Sequence, residues 1–439
     1  MTDSALLATL RSEARDAPES GIVEVFNYGR GRPGLIPLWV GEGDLPTPGF
    51  ISEAANRSLA DGETFYTYQR GVPELREALA RYHMRTFGRA FSPDRFFATI
   101  GGMGAIQIAV RMAAGAGDEV IVPTPAWPNL AASVGVGGAR PREVAMRFGN
   151  AGWTLDLDEL FAAAGPRTKA LFLNSPCNPT GWTATREELQ AILAFARKRG
   201  LWIIADEVYH RFSYGAPRSP SFYDVAEDDD RIFYVNTFSK NWAMTGWRIG
   251  WLSSPPALGQ VIENLVQYSS SGVAAFMQRA ATVALDEGEA FIAEQLARAR
   301  AGRDIVCRGL GATGRVRFSE PAGAFYLFFA VDGPSPSGSS TRPMSASRRA
   351  HPSGKRARGS SAFATCARPT RSRRRRRGWP AGWAASRPPA RRSPCWRQAS
   401  RCAGFPHPAR AAAGRDGSTP WSAPWRAGRR AGRRGTVSA

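Results

Sequence analysis

The stretch Lys169-Ala-Leu-Phe-Leu-Asn174-Ser-Pro-Cys-Asn178-Pro-Thr-Gly181 leads into Arg186–Arg199 and then into Leu201-Trp-Ile-Ile-Ala-Asp206-Glu-Val-Tyr209. Its outer pieces open as short continuous apolar runs, the pattern of strands buried on both faces, and its middle piece is amphipathic with a helical period. Thr185 with Glu188 predicts a capping box at the start of that helix. Working outward, Arg95–Ile100, Glu119–Val122 and Arg231–Val235 read as further strands, and Gly104–Ala114 as a second helix. Strand–helix–strand alternation predicts an α/β fold, with a mostly parallel central sheet and helices on both faces. Ligands of such sheets sit beyond the carboxyl ends of the strands. Four of those ends carry polar or glycine-rich features: Gly101–Gly104, Asn174–Gly181, Asp206 and Thr237–Lys240.

These segments, with Ala205-Asp-Glu-Val-Tyr209, Thr237-Phe-Ser-Lys240 and Met244-Thr-Gly-Trp-Arg248-Ile-Gly250, resemble the ordered signature of the class I/II aminotransferases. Gly71-Val-Pro-Glu-Leu-Arg76 and Pro123-Thr-Pro-Ala-Trp127 fit the same pattern. The resemblance runs from about Ser20 to Gly333. It implies the fold type I of pyridoxal-phosphate enzymes and exchange of an amino group between an amino acid and a 2-oxo acid. It also implies pyridoxal 5'-phosphate as cofactor, a homodimer with shared active sites, and no metal. The implied organisation is an N-terminal arm with part of the small domain at 1–45, a cofactor-binding large domain at 46–285, and a truncated small domain at 286–333.

By that resemblance, Lys240 forms the Schiff base with the cofactor, which needs a deprotonated amine, and then shuttles the substrate proton. Asp206 pairs with the pyridine nitrogen and keeps the ring an electron sink. Tyr209 and Asn178 bond the ring hydroxyl, and Trp127 stacks on the ring. Arg248, Thr237 and Ser239 receive the phosphate, with the amides of Gly102 and Met103 at a helix start that favours anions. Tyr66 reaches the phosphate of the neighbouring subunit. Gly41 belongs to a loop that closes over substrate. Met103 stands where some aspartate-using relatives carry a lysine, which argues against a dicarboxylate substrate. The residues alone leave blander readings open: Asp206 as a helix cap, Asn178 as a turn residue, Trp127 as a loop anchor. His83 and His210 read as structural.

Charge is unevenly spread. The chain of 439 residues carries a net charge of +21, and 334–439 holds 25 of the 58 Lys and Arg with a single acid, Asp416. The rest has 33 bases against 36 acids. The tail has no Leu, Ile or Tyr and one Val, Val437. Such a composition predicts disorder, with at most fragments of helix. It reads as out-of-frame translation of a GC-rich gene, with a basic nucleic-acid-binding tail through Arg373–Arg377 as the lesser reading.

Pro321-Ala-Gly-Ala-Phe-Tyr-Leu-Phe-Phe329 resembles the family's first small-domain strand, but no later segment matches the strand whose arginine clamps the substrate carboxylate. Neither Arg368 nor Arg371–Arg377 is given that role. Within the same fold, a carbon–sulfur β-lyase, a regulatory cofactor-binding domain and an inactive cofactor-binding remnant remain alternatives. Met1–Ser20 lacks the pattern of a secretory leader, and no apolar run reaches 18 residues, so a cytoplasmic enzyme is expected. The five cysteines contain no Cys-x-x-Cys pair, which gives no support to a zinc or redox motif.

Overall fold

The computed structural model describes residues 3–331 and 360–364. The expected strands form within about two residues of their predicted bounds: Phe96–Thr99 (β1), Glu119–Thr124 (β2), Thr168–Asn174 (β4), Trp202–Asp206 (β5) and Ile232–Thr237 (β6). Two strands not read from the sequence, Arg140–Ala145 (β3) and Gly250–Ser253 (β7), complete a seven-stranded sheet in the order β1-β7-β6-β5-β4-β2-β3. β3 is a charged edge strand with most of its side chains exposed, so it lacks the apolar run that marks its neighbours. β7 is only four residues long and runs antiparallel to both β1 and β6. The pairings from β3 through β6 are parallel.

The period of two along each strand splits the core into layers. Leu171 and Leu173 join one apolar cluster, while Ala170 and Phe172 join the other. Ile203 and Ile204 divide in the same way. A strand buried on both faces must be apolar throughout, which is why these runs are continuous. Each fully buried large aliphatic or aromatic side chain contributes about 1.5–3 kcal/mol.

Helix α1 spans Gly101–Ala113 and so begins three residues before the predicted Gly104. Helix α2 spans Arg186–Arg199, as predicted. Its capping box is formed: the Glu188 amide donates to Thr185 Oγ1, and the Thr185 amide to the Glu188 carboxylate. Leu189, Ile192, Leu193 and Ala196 lie buried on one face, and the cap is worth about 0.5–2 kcal/mol. Two further helices matter below: the short Phe238–Asn241 (α3) and the long Glu289–Gly311 (α4).

A second sheet pairs Val316–Arg317 (β8), Tyr326–Val331 (β9) and Ser360–Ala364 (β10) antiparallel, in that order. Composition predicted disorder or helical fragments for the segment that holds β10. Instead it pairs with β9, Phe363 opposite Leu327. An open strand edge offers a row of unpaired backbone groups, and the short Ala-Phe-Ala sequence can meet it whatever the composition around it. The other tail expectations, including those for Arg368 and Arg371–Arg377, lie outside the described residues. Among the described residues no helix is long and apolar enough to cross a membrane.

Glu207, next after β5, is buried and accepts bonds from Ser221 Oγ (2.6 Å) and the Phe222 amide (3.1 Å). Burial pushes its carboxyl from an ordinary value near 4.5 up to about 7. Between those values the native state binds the proton and the unfolded state has lost it, so stability falls as pH rises through this window. Glu207→Gln should remove that fall. The wild-type minus variant difference in unfolding free energy should drop by about 1.4 kcal/mol per pH unit between roughly pH 5 and 7 and then level off. Denaturant melts at several pH values measure it, and a flat difference would contradict the assignment.

Candidate active site

The parallel strands deliver their carboxyl ends to one edge, and β7 begins there. Gly250 pairs with both Thr99 and Thr237. The turn holding Arg248 therefore enters beside the exits of β1 and β6. A Cβ on Gly250 would lie 2.6 Å from Asn236 O, 2.8 Å from Gly101 C and 3.0 Å from Gly102 N. Main chain from three elements meets at this glycine, and no side chain fits there.

Lys240 sits on α3, directly after β6. Its Nζ donates to Gly41 O at 2.5 Å and lies 5.7 Å from the ring centres of both Tyr209 and Phe325. Thr237 caps the turn, accepting from the Ser239 amide at 3.2 Å. Its hydroxyl also lies 2.9 Å from Ser239 Oγ and 3.1 Å from Ile249 O.

Asp206 ends β5 and is 2% exposed. No helix follows it, so it is not a helix cap. Its carboxylate accepts a long bond, 3.4 Å, from the Val208 amide. Burial pushes its pKa up to about 7, opposed by that amide and by the charge of Lys240. A carboxylate this deeply buried is best matched by a cationic N–H donor, and a protonated pyridine nitrogen is one. Asn174, at the end of β4, ties two candidates together: its Nδ2 donates to Asp206 O at 3.1 Å, and its Oδ1 accepts the Asn178 amide at 2.8 Å.

Tyr209 is buried, with its hydroxyl 2.6 Å from that of Tyr326. Its pKa is raised well above 10, first by burial and then by Tyr326, while a hydrogen bond with the Asn178 side chain works against the rise. The structure thus brings Asn178 and Tyr209 together.

Arg248 has a left-handed backbone (φ 54°) and donates from Nη1 to Thr245 O at 2.8 Å. Its Nη2 lies 2.6 Å from where a Cβ on Gly101 would stand. Gly101 itself has φ 62°. The guanidinium therefore rests against the start of α1, where Gly102 and Met103 follow, and where backbone amides and helix dipole favour an anion. Met103 and Trp127 are partly buried and pack against the apolar cluster that includes Val208 and Tyr209. Tyr66 is 95% exposed, and this chain does not bring it to the site.

Sequence reasoning missed Tyr326, Phe325 and Asn174 as site residues. Asn174 ends a parallel strand as Asp206 does, and that signal was available. Tyr326 gave a weaker one, a polar-tipped aromatic in an otherwise apolar strand. The residues present suit a group with a ring nitrogen at Asp206, a phenolic oxygen at Tyr209 and Asn178, a carbonyl carbon at Lys240 and a phosphate at Arg248. An open cleft of about 710 Å³ runs between the 42–47 loop and the 243–247 turn, and no candidate residue lines it. Cleft size alone does not locate this site.

Comparison with known proteins identifies the family. The aminotransferase class I and II family matches residues 33–342. An aspartate aminotransferase of Thermotoga maritima is 36% identical over 299 residues, covering 68% of this chain and 78% of the relative. A probable aspartate/prephenate aminotransferase of Aquifex aeolicus is 33% identical over 323 residues, 73% of this chain and 79% of the relative. Among solved structures, an aspartate aminotransferase from Thermus thermophilus with maleate has a TM-score of 0.69 at 33% identity, covering 73% of this chain and 85% of that one.

Gly101→Ala tests the anion end. The substitution puts a side chain in a left-handed conformation, at a cost of about 1–2 kcal/mol, and its Cβ displaces the Arg248 guanidinium. Losing a charged hydrogen bond should weaken pyridoxal phosphate binding roughly tenfold. Thermal melting and a fluorescence titration measure the two effects. Wild-type affinity in the variant would show that Arg248 does not depend on this contact.

Proposed function

Since the chain belongs to the class I and II aminotransferase family, whose members use pyridoxal 5'-phosphate, we propose that Lys240 is the amine that bonds the cofactor and carries the substrate proton. The observation that supports this reading most is the placement of Lys240 Nζ 5.7 Å from the ring centres of both Tyr209 and Phe325, close enough for its charge to act on the buried Asp206 carboxylate. When bound, the cofactor supplies an electron sink for the charge that develops at the substrate Cα.

The chain's own groups do the rest in this reading. Asp206 holds the ring nitrogen protonated. Tyr209 and Asn178 orient the ring through its hydroxyl. Thr237, Ser239, Arg248 and the amides of Gly102 and Met103 fix the phosphate, which sets the direction from which Lys240 approaches. Trp127 covers the ring. Lys240, as a free amine, moves a proton between the substrate Cα and the cofactor C4′. Gly41, whose carbonyl meets Lys240 Nζ, closes the site against water.

The homodimer is part of the same proposal. Tyr66 (95% exposed), Phe65 (85%) and Tyr268 (85%) present aromatic surface on neighbouring loops, where Gln69 bonds Gln267 at 2.7 Å. Burying such surface is a normal use of an interface. Tyr66 would then serve the partner's phosphate. Sedimentation should give twice the chain mass, and a monomer that binds cofactor at full strength would remove Tyr66 from the site.

The names of the relatives make aspartate the first amino donor to try. The apolar Met103 is the reason to include aromatic and aliphatic donors in the panel. The carboxylate-clamping arginine has no match in the sequence, so turnover is expected to be slow, by about 10²-fold or more for a misplaced substrate. Codons read in the other two frames from position 334 should encode that arginine if the tail is out of frame.

Purified protein mixed with pyridoxal phosphate should show a visible absorption band, absent in Lys240→Ala and shifted by an amino donor. Amino transfer should fall about 10²–10⁴-fold in Lys240→Ala. Transfer that depends on a 2-oxo acid supports the aminotransferase reading, whereas release of pyruvate and ammonia without one would replace it with a β-lyase.

A further inference from the structure

The backbone that carries Lys240 ends in carbonyls that its own helix cannot satisfy. Helix α3 has four residues, and the last carbonyls of any helix lack intrahelical partners. Here they are met from outside. Gln295 Nε2 donates to Asn241 O at 2.6 Å and reaches Lys240 O at 3.4 Å. Two residues past the helix, Thr47 Oγ1 donates to Ala243 O at 2.7 Å. Gln295 is 8% exposed and Asn241 fully buried, so the Asn241 carbonyl has no bulk water as an alternative.

Gln295 lies on α4, and three residues on, along the same face, Arg298 Nη2 bonds both oxygens of Asp44 at 3.1 Å. Asp44 belongs to the loop whose Gly41 carbonyl accepts from Lys240 Nζ. One rigid helix therefore grips the main chain beneath the lysine and the loop above its amine.

We propose that Gln295 is a positioning residue for Lys240, fixing the turn from which the amine reaches the cofactor. The inference rests on Lys240 being the cofactor-bonding amine. Angular freedom at the base of a long side chain is magnified at its tip, so a loosened turn spreads Nζ over more positions and lowers the fraction poised to react.

Gln295→Met keeps volume and helix preference and removes the donor. Gln295→Glu keeps the shape and, when ionised, offers only acceptors. Full-length protein freed of cofactor is mixed with pyridoxal phosphate, and the growth of the absorption band is followed by stopped flow, with melting temperature measured in parallel. A lost buried hydrogen bond predicts band growth about tenfold slower in either variant that remains folded, with faster amide exchange at Asn241 and Trp242. A merely structural role would lower the melting temperature and leave the rate below it unchanged. Wild-type band growth in a folded variant, with the band absent in Lys240→Ala, overturns this inference alone. A band that survives in Lys240→Ala overturns both this inference and the assignment of the lysine.

Discussion

The site depends on a close approach of three pieces of main chain at Gly250. The carbonyl of Asn236 and the peptide joining Gly101 to Gly102 come so near its Cα that a methyl group would collide with both. This contact brings the end of β6, the start of β7 and the first turn of α1 to one point. Lys240 follows the first of these by three residues, Arg248 precedes the second by two, and Gly101 opens the third. An amine, a guanidinium and a helix start are thereby held together by backbone alone. Side chains add chemistry to a frame that hydrogen-bonded strands have already fixed.

Around that frame, burial decides which groups are reactive. Asp206 and Glu207 are neighbours in sequence and both lie in the interior, yet their surroundings differ. Glu207 is met by a serine hydroxyl and a backbone amide at normal distances, whereas Asp206 has a long bond and a nearby lysine. The first carboxyl is satisfied by its own protein, whereas the second keeps only one long backbone bond and the charge of the lysine. His83 and His210 show the opposite case. Both are buried among aromatic rings, His83 bonded through Nδ1 and His210 through both ring nitrogens, and burial lowers their pKa to about 4 and about 3. They remain neutral at any ordinary pH.

The layer structure was legible in the sequence because strands covered on both faces are continuous apolar runs, and helix α2 because its cap and period agree. β3 and β7 were not, since an edge strand needs no apolar face and a four-residue strand carries too little pattern. In the site, the strand-end polar residues were visible as a group. Tyr326 was hidden because its partner, Tyr209, is 117 residues away in sequence and only the fold brings the hydroxyls together. Gln295 was hidden for the same reason: a glutamine within a helical stretch looks solvated until its surroundings are known. For the tail, composition weighed against any strand, but edge pairing depends on backbone and on what lies opposite, and composition does not report that.

The bond from Lys240 to residue 41 ends on a main-chain carbonyl, which every amino acid possesses. What residue 41 lacks is room, because the hydroxyl of Tyr326 occupies the place a side chain would take. The chemical identity of this position is therefore irrelevant to the bond it makes, and its size is decisive. A survey of all twenty residues there would read as a test of volume, with alanine already too large. The acceptor facing the lysine cannot be deleted by changing a letter of the sequence, only pushed aside, and the tyrosine from the second sheet sets how far.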